Sequence, residues 1–292
     1  MKSKETARAY TSRLLKKTQR IRREFGQHFL IDDSIISRMV AQIPANVLLL
    51  EVGAGLGVMT REFIGRHPEF WAIELDREKA EILREEYHVD SCNPPFNLLT
   101  GDALQTNLTD LWPAQRGWVA GNLPYYITNP LIMHFLQQKS HLEAMIIMIQ
   151  KEVAARICAP PGRKDYGVLS IAVQASAQAD ILFDVPPHAF VPAPKVTSTV
   201  LALHMRPHPD LAASDEKGFF RIVKAAFSSR RKTLTNSLAA GLALDKSHVA
   251  KCLMQTDIDG TRRAETLSIA EFQQVAQALS PDLIDLVYRQ NH

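Results

Sequence analysis

The chain has 292 residues, of which 46% are apolar and 22% charged, with a formal net charge of +3. That is the length of one large domain plus a small one, with an ordinary globular composition. No apolar run reaches the roughly 18 residues of a membrane span. The three cysteines (Cys92, Cys158, Cys252) are far apart, and the ten histidines show no metal-ligand spacing, which excludes a disulfide scaffold and argues against any metal site.

The small net charge hides an asymmetry. Residues 1–25 carry nine Lys or Arg and two Glu, a net of +7, while the rest of the chain holds 25 basic and 29 acidic residues, a net of −4. One weak stripe runs through this segment: Ala7, Tyr10, Leu14 and Ile21. The segment reads as a basic tail that becomes helical on meeting a polyanion; a solvated extension or an Arg-rich transit peptide are the alternatives. As a tail it is expected to add affinity for a polyanion and to leave any cofactor site in the body untouched.

Short apolar runs follow at residues 47–52, 70–75, 97–100, 117–121 and 144–149, most of them trailed by helix-length segments such as 77–86 and 130–137. Strands alternating with helices predict an α/β domain with a mostly parallel sheet. Residues 179–185 and 197–203 add two strands with no helix between them, so an antiparallel edge is expected. Prolines 186, 187, 192, 194, 207 and 209 mark a braced loop and then a boundary. Beyond it Phe219, Ile222, Val223, Ala226, Phe227, Leu234 and Leu238 recur at helical spacing. The expected organisation is a tail (1–25), a Rossmann-like domain (26–209) and a small all-helical domain (210–292).

Glu51-Val52-Gly53-Ala54-Gly55-Leu56-Gly57 follows the first of these strands directly. Glycines there allow a tight turn and close approach of the backbone to a ligand. A dinucleotide loop would place its third glycine where Val58 stands, and no Lys-Ser/Thr follows for a nucleoside triphosphate. A plain tight turn is the bland alternative. Glu74 closes the second strand, where a carboxylate can accept both ribose hydroxyls of a nucleoside, and Asp102 follows the third, where it can accept from an adenine amine. Two acids at successive strand ends behind that loop suit an adenosyl ligand without phosphates, S-adenosylmethionine.

Asn122-Leu123-Pro124-Tyr125 closes the fourth strand. The N6 amine of adenine is a poor nucleophile because its lone pair is delocalised into the ring. A side-chain carbonyl from Asn122 and a backbone carbonyl near Pro124 can take its two hydrogens and aim the lone pair outward. Pro124 stiffens the turn and Tyr125 offers a stacking face. Orientation in a dry pocket supplies up to about 7–11 kcal/mol, and the base must leave its stack to enter. Phe190, on the proline-braced loop, is placed to close the second face of that base, with core packing as the alternative. Arg230, Arg231 and Lys232 fall in a helical pattern and fit phosphate contacts, with a solvated charged face as the alternative.

Taken together these motifs closely resemble the KsgA-type small-subunit ribosomal RNA adenine dimethyltransferases. The resemblance runs from about Phe25 to Glu271. It includes Gly26-Gln27-His28-Phe29-Leu30, the glycine loop, Ile73-Glu74-Leu75-Asp76, Gly101-Asp102, Asn122-Leu123-Pro124-Tyr125, Gln150-Lys151-Glu152-Val153, Arg230-Arg231-Lys232-Thr233 and Arg263-Ala264-Glu265. It implies a class I methyltransferase fold and S-adenosylmethionine as cofactor. The product implied is N6,N6-dimethyladenosine at two adjacent positions of the 3′-terminal hairpin loop of 16S rRNA.

By the same resemblance His28, Leu30, Gly53, Gly55, Glu74, Asp102 and Asn122 line the cofactor site, Asn122, Pro124, Tyr125 and Phe190 form the catalytic group, and Arg230, Arg231 and Lys232 meet RNA. The implied setting is a cytoplasmic monomer acting on a small-subunit assembly intermediate, with no membrane and no metal. His28 and Ala54 depart from the commonest pattern, which has Asn and Pro there. A 23S rRNA adenine methyltransferase, and an assembly or transcription factor derived from this fold, are the alternatives. Leu123 and the Arg-Arg-Lys-Thr segment favour the small-subunit reading.

Overall fold

A computed structural model describes residues 5–18, 28–92, 94–206 and 216–279. Ile21, Phe25, Gly26, Gln27, Pro207 and Pro209, singled out above, lie outside the described residues. Two compact units are present, the first made of residues 1–154 and 178–205, the second of 155–177 and 206–292.

The first unit begins with α1 (Ala7–Leu15), β1 (Phe29–Leu30), α2 (Asp33–Val40), β2 (Leu49–Val52), α3 (Thr60–Phe63), β3 (Phe70–Glu74), α4 (Arg77–Tyr87) and β4 (Asn97–Thr100). It continues with α5 (Leu108–Leu111), β5 (Gly117–Asn122), α6 (Thr128–Leu136), β6 (Leu142–Gln150), β7 (Ala177–Val185), β8 (Phe190–Val191) and β9 (Ser198–Met205). Seven strands form one sheet in the order β4-β3-β2-β5-β6-β9-β7. β4, β3, β2, β5 and β6 pair in parallel, and β9 runs antiparallel to β6. The two shortest strands, β1 and β8, form a separate antiparallel ribbon that pairs Leu30 with Phe190.

Every residue of β2 is buried, as befits a central parallel strand covered on both faces. The strand order reverses between β2 and β5, and such a switch point opens a crevice at the carboxyl ends of the strands. Gly121 allows β2 and β5 to close up there: a Cβ at that position would stand 2.3 Å from the Val52 carbonyl oxygen.

The N-terminal segment departs from the expected tail. Ala7, Tyr10 and Leu14 are buried in the core of the first unit, so the stripe read from sequence is a packing face. Thr6 caps α1, and the Asp33 carboxylate accepts the Ala7 amide at 2.9 and 3.1 Å, a second partner at the positive helix end. Arg13 donates to Glu86 at 3.0 and 2.6 Å, so part of the basic excess is matched by the body itself. Burial of three apolar side chains, which no solvated tail achieves, is what draws the segment into the domain.

The second unit holds α8 (Val168–Gln174), α9 (Glu216–Ala226), α10 (Leu234–Leu242), α11 (Lys246–Gln255) and α12 (Ile269–Ala278); α7 (Lys151–Ile157) carries the chain into it. Its core gathers Tyr166, Ile171, Phe219, Val223, Leu238, Val249, Leu267 and Phe272. The proline boundary had assigned 155–177 to the first domain. They join the helical one because Tyr166 is fully buried there, edge-on to Phe227 at 6.3 Å. Ser268 and Glu271 close a reciprocal capping box on α12, and Arg262 pairs with Glu271.

If α1 is structural, Leu14→Ala destabilises the protein by about 2–5 kcal/mol, the cost of a truncated core leucine. A change within about 0.5 kcal/mol in chemical denaturation would return the segment to the status of a solvated extension.

Candidate active site

The loop after β2 turns on Gly53, Gly55 and Gly57, with φ of 73°, 60° and 81°, the left-handed region that only glycine enters without strain. Gly53 and Ala54 both donate to the Ile73 carbonyl at the end of β3. The Glu74 carboxylate then joins two loops: Oε2 accepts Gly55 N–H at 2.7 Å and Oε1 accepts Asp76 N–H at 2.9 Å. Only 6% exposed, Glu74 has its pKa raised by burial, against the pull of those two amides.

Beneath the loop lies Glu51, which the motif contains but which was not singled out as a site residue. It is buried, lines the cleft, and accepts the Thr60 hydroxyl at 2.6 Å. Burial, reinforced by the neighbouring Glu74, pushes its pKa up to about 8 despite the Thr60 hydrogen bond. The available signal was a charged side chain inside an otherwise apolar strand. Asp76, also unforeseen, pairs with Lys79 at 2.5 Å with both side chains almost fully buried. Asp102 lines the cleft and accepts Leu104 N–H at 2.9 Å, which fixes the turn after β4.

Asn122 ends β5 with its amide Nδ2 donating to the His28 carbonyl at 2.9 Å. That commitment leaves Oδ1 as the atom the side chain offers as an acceptor. The Pro124 carbonyl accepts from Ile127 N–H (3.1 Å) and the Thr128 hydroxyl (3.0 Å), so both of its lone pairs are engaged. The Tyr125 hydroxyl meets Ser198 Oγ at 2.7 Å, anchoring the ring by its edge; burial raises its pKa. The His28 ring tilts against Tyr125 at 5.7 Å and its Nδ1 meets the Pro192 carbonyl at 2.7 Å. Ser198 gave no local sequence signal, and Pro192, read only as part of a braced loop, gave none for its contact with His28, because these partners lie far apart along the chain.

The structure therefore brings together His28, Leu30, Gly53, Gly55, Glu74, Asp102, Asn122, Pro124 and Tyr125 around one cleft of about 1110 Å³, its open mouth included. Phe190 is not among the lining residues. It is 2% exposed, paired to Leu30 and packed in the core. Tyr126, 56% exposed, lines the mouth instead. Arg230, Arg231 and Lys232 are exposed but lie in the turn between α9 and α10, not on a helix. α9 ends at Ala226, and Thr233 caps the start of α10 by accepting Asn236 N–H, so the three basic residues fall between the two helices.

The lining holds Glu51, Glu74, Asp76 and Asp102 but no Lys or Arg. Such a cleft repels phosphate and favours a ligand of net positive charge. A carboxylate that still has free lone pairs, beside a glycine turn that admits close approach, fits a nucleoside carrying a sulfonium. Glu74 and Asp102 are the groups that would hold S-adenosylmethionine, which supplies an electrophilic methyl group when bound.

Sheet order, switch-point crevice and acidic cleft define a class I methyltransferase that uses S-adenosylmethionine. The family model for ribosomal RNA adenine dimethylases matches residues 18–279, and the chain belongs to that family. It is an rRNA adenine dimethyltransferase. A ribosomal RNA small subunit methyltransferase A from Desulfitobacterium hafniense is 49% identical over 281 residues, covering 96% of this chain and 99% of its own. Among solved structures, a dimethyladenosine transferase from Plasmodium falciparum superposes with a TM-score of 0.74 at 22% identity, over 86% of this chain and 97% of that one. The 23S rRNA methyltransferase ErmE follows at 0.64 and 22%, over 86% and 99%. Those two share the fold with this chain.

Between the ordinary carboxyl range and about pH 8, the folded protein keeps a proton on Glu51 that the unfolded chain has released. Stability of the cofactor-free protein therefore falls as pH rises through that window, by about 1.4 kcal/mol per unit of displaced pKa at most. Glu51→Gln removes this dependence while keeping an acceptor for Thr60. Thermal melts at about pH 5 and about pH 8 should show a smaller fall in Tm for the variant than for the wild type. Equal falls would mean that Glu51 is already ionised in the folded state.

Proposed function

We propose that this chain dimethylates N6 of two adjacent adenosines in the 3′-terminal hairpin loop of 16S rRNA. On this reading it works as a cytoplasmic monomer on a small-subunit assembly intermediate. The observation that carries the chemistry is the fixed orientation of Asn122, whose amide is committed to the His28 carbonyl. Asn122 Oδ1 and a backbone carbonyl near Pro124 then take the two hydrogens of the exocyclic amine, which turns its lone pair toward the methyl donor. Tyr125, anchored through Ser198, supplies one stacking face. Phe190 supplies the other once the incoming RNA uncovers its ring, since it is buried in the free protein. Glu74 accepts the ribose hydroxyls of the cofactor and Asp102 its adenine amine.

The small-subunit assignment is supported by the name of the 49% identical relative, matched along 96% of this chain. Arg230, Arg231 and Lys232 form an exposed basic turn and contact RNA phosphates on this reading. Among the described residues no helix is long and apolar enough to cross a membrane.

Asn122→Ala should lose at least about a hundredfold in methyl transfer at saturating cofactor, the scale of lost positioning and polar stabilisation, while the protein still folds. Product formed at close to the wild-type rate would dismiss the amine-orienting role. A partly assembled small subunit should be methylated far better than naked 23S rRNA, because the loop must be unpaired and shaped. Mass spectrometry that locates the methyl groups in 23S rRNA would transfer the assignment to the large subunit.

A further inference from the structure

The third glycine of the loop, Gly57, does not line the cleft, although its neighbours Leu56 and Val58 do. It is turned to the opposite side. A Cβ there would stand 2.7 Å from Leu83 Cδ2, 3.1 Å from Tyr87 Cε2 and 3.3 Å from the Tyr10 hydroxyl. The Tyr87 hydroxyl donates to the Gly57 carbonyl at 3.2 Å, and the Tyr10 and Tyr87 hydroxyl oxygens are 2.8 Å apart. Each phenol owns one proton. Tyr87 gives its proton to Gly57, so the Tyr10 proton goes to Tyr87, and a directed chain runs from α1 into the loop. Burial pushes Tyr10 up to about 12 and raises Tyr87 as well, so both protons stay in place at neutral pH.

Tyr10 is itself held firmly. The Arg13 and Arg61 guanidinium groups lie 5.2 and 5.0 Å from its ring centre. Arg13 reaches Glu86 on α4, and Arg61 of α3 reaches both the Glu5 carbonyl (3.0 Å) and Asp33 of α2 (3.1 Å). Helices α2, α3 and α4 each follow a cleft-lining segment: Phe29-Leu30, Val58-Met59 and Glu74-Leu75-Asp76 respectively. One helix thus fastens the three elements that carry the wall of the cleft.

We propose that α1 is a positioning element of the cofactor site: the Tyr10–Tyr87 hydroxyl chain fixes the glycine loop through the Gly57 carbonyl and so sets affinity for the cofactor. This gives α1 a part in the cofactor site that the reading of the segment as a tail did not include, and it rests on the cleft being the S-adenosylmethionine site.

The test is calorimetric affinity for S-adenosylmethionine together with steady-state kinetics, for Tyr10→Phe, Tyr87→Phe, the double variant and Glu74→Ala. Each phenylalanine variant should raise the cofactor Kd and KM by about three- to tenfold, the scale of one lost neutral hydrogen bond. Both should keep kcat at saturating cofactor and KM for ribosomal particles. The double variant should be no weaker than Tyr87→Phe alone, because the two hydroxyls act in series. Unchanged cofactor affinity in either single variant, with or without a lower Tm, would overturn the proposal, provided Glu74→Ala still weakens binding. Should Glu74→Ala also bind normally, it is the placement of the cofactor in this cleft that fails.

Discussion

A single carboxylate joins the two loops on which the site is built. Glu74 receives one amide from the glycine loop and one from the acidic loop after β3, at 2.7 and 2.9 Å. Both partners are backbone groups, so the joint fixes main-chain position and not merely a rotamer. Taking a carboxylate out of water is costly, and here burial outweighs the two amides and Lys79 in raising its pKa. The fold accepts that cost because the same group, removed, would leave two inward-facing donors without partners. Each oxygen still carries a lone pair for a ligand hydroxyl, so one side chain serves both architecture and recognition.

The sheet was legible because buried parallel strands are short apolar runs, and the turns behind them carry glycine or acids. The chain wrote residues 97–100 and 117–121 plainly enough that β4 and β5 fall within a residue of expectation. Glu74, Asp102 and Asn122 were legible for the same reason: each closes a strand, and strand ends converge at a switch point. What was not legible depends on partners far along the chain. The Asn122–His28 bond spans 94 residues and the Tyr125–Ser198 contact 73. The two-residue strands β1 and β8 are too short for any periodicity to register. Arg230–Lys232 looked helical because apolar spacing continues on both sides; α9 stops at Ala226, and the only local mark of the new start is the Thr233 hydroxyl that caps α10.

In the N-terminal segment, packing and charge have to be read together. A net of +7 over residues 1–25 suggests an arm reaching outward for a polyanion. Yet Arg13 is bound to Glu86 and Glu5, and Lys17 lies 3.7 Å from Glu85. Three small or apolar residues at helical spacing decide where α1 packs, since burying a leucine and a tyrosine is worth more than exposed ion pairs cost or return. Composition reports how many charges a segment holds; it does not report which of them the protein has already answered.

The helical unit is assembled from two stretches of chain, 155–177 and 206 onward, with strands of the other unit between them. Synthesis runs from the N-terminus, so Tyr166 and Ile171 emerge well before Phe219 and Phe272, the residues that bury them. Until the last helices arrive, the nascent chain displays an aromatic and aliphatic face with nothing to cover it. The same discontinuity constrains recombination between relatives: exchanging this unit takes two splice points, and a single C-terminal crossover would pair one parent's 155–177 with the other's helices across a shared core.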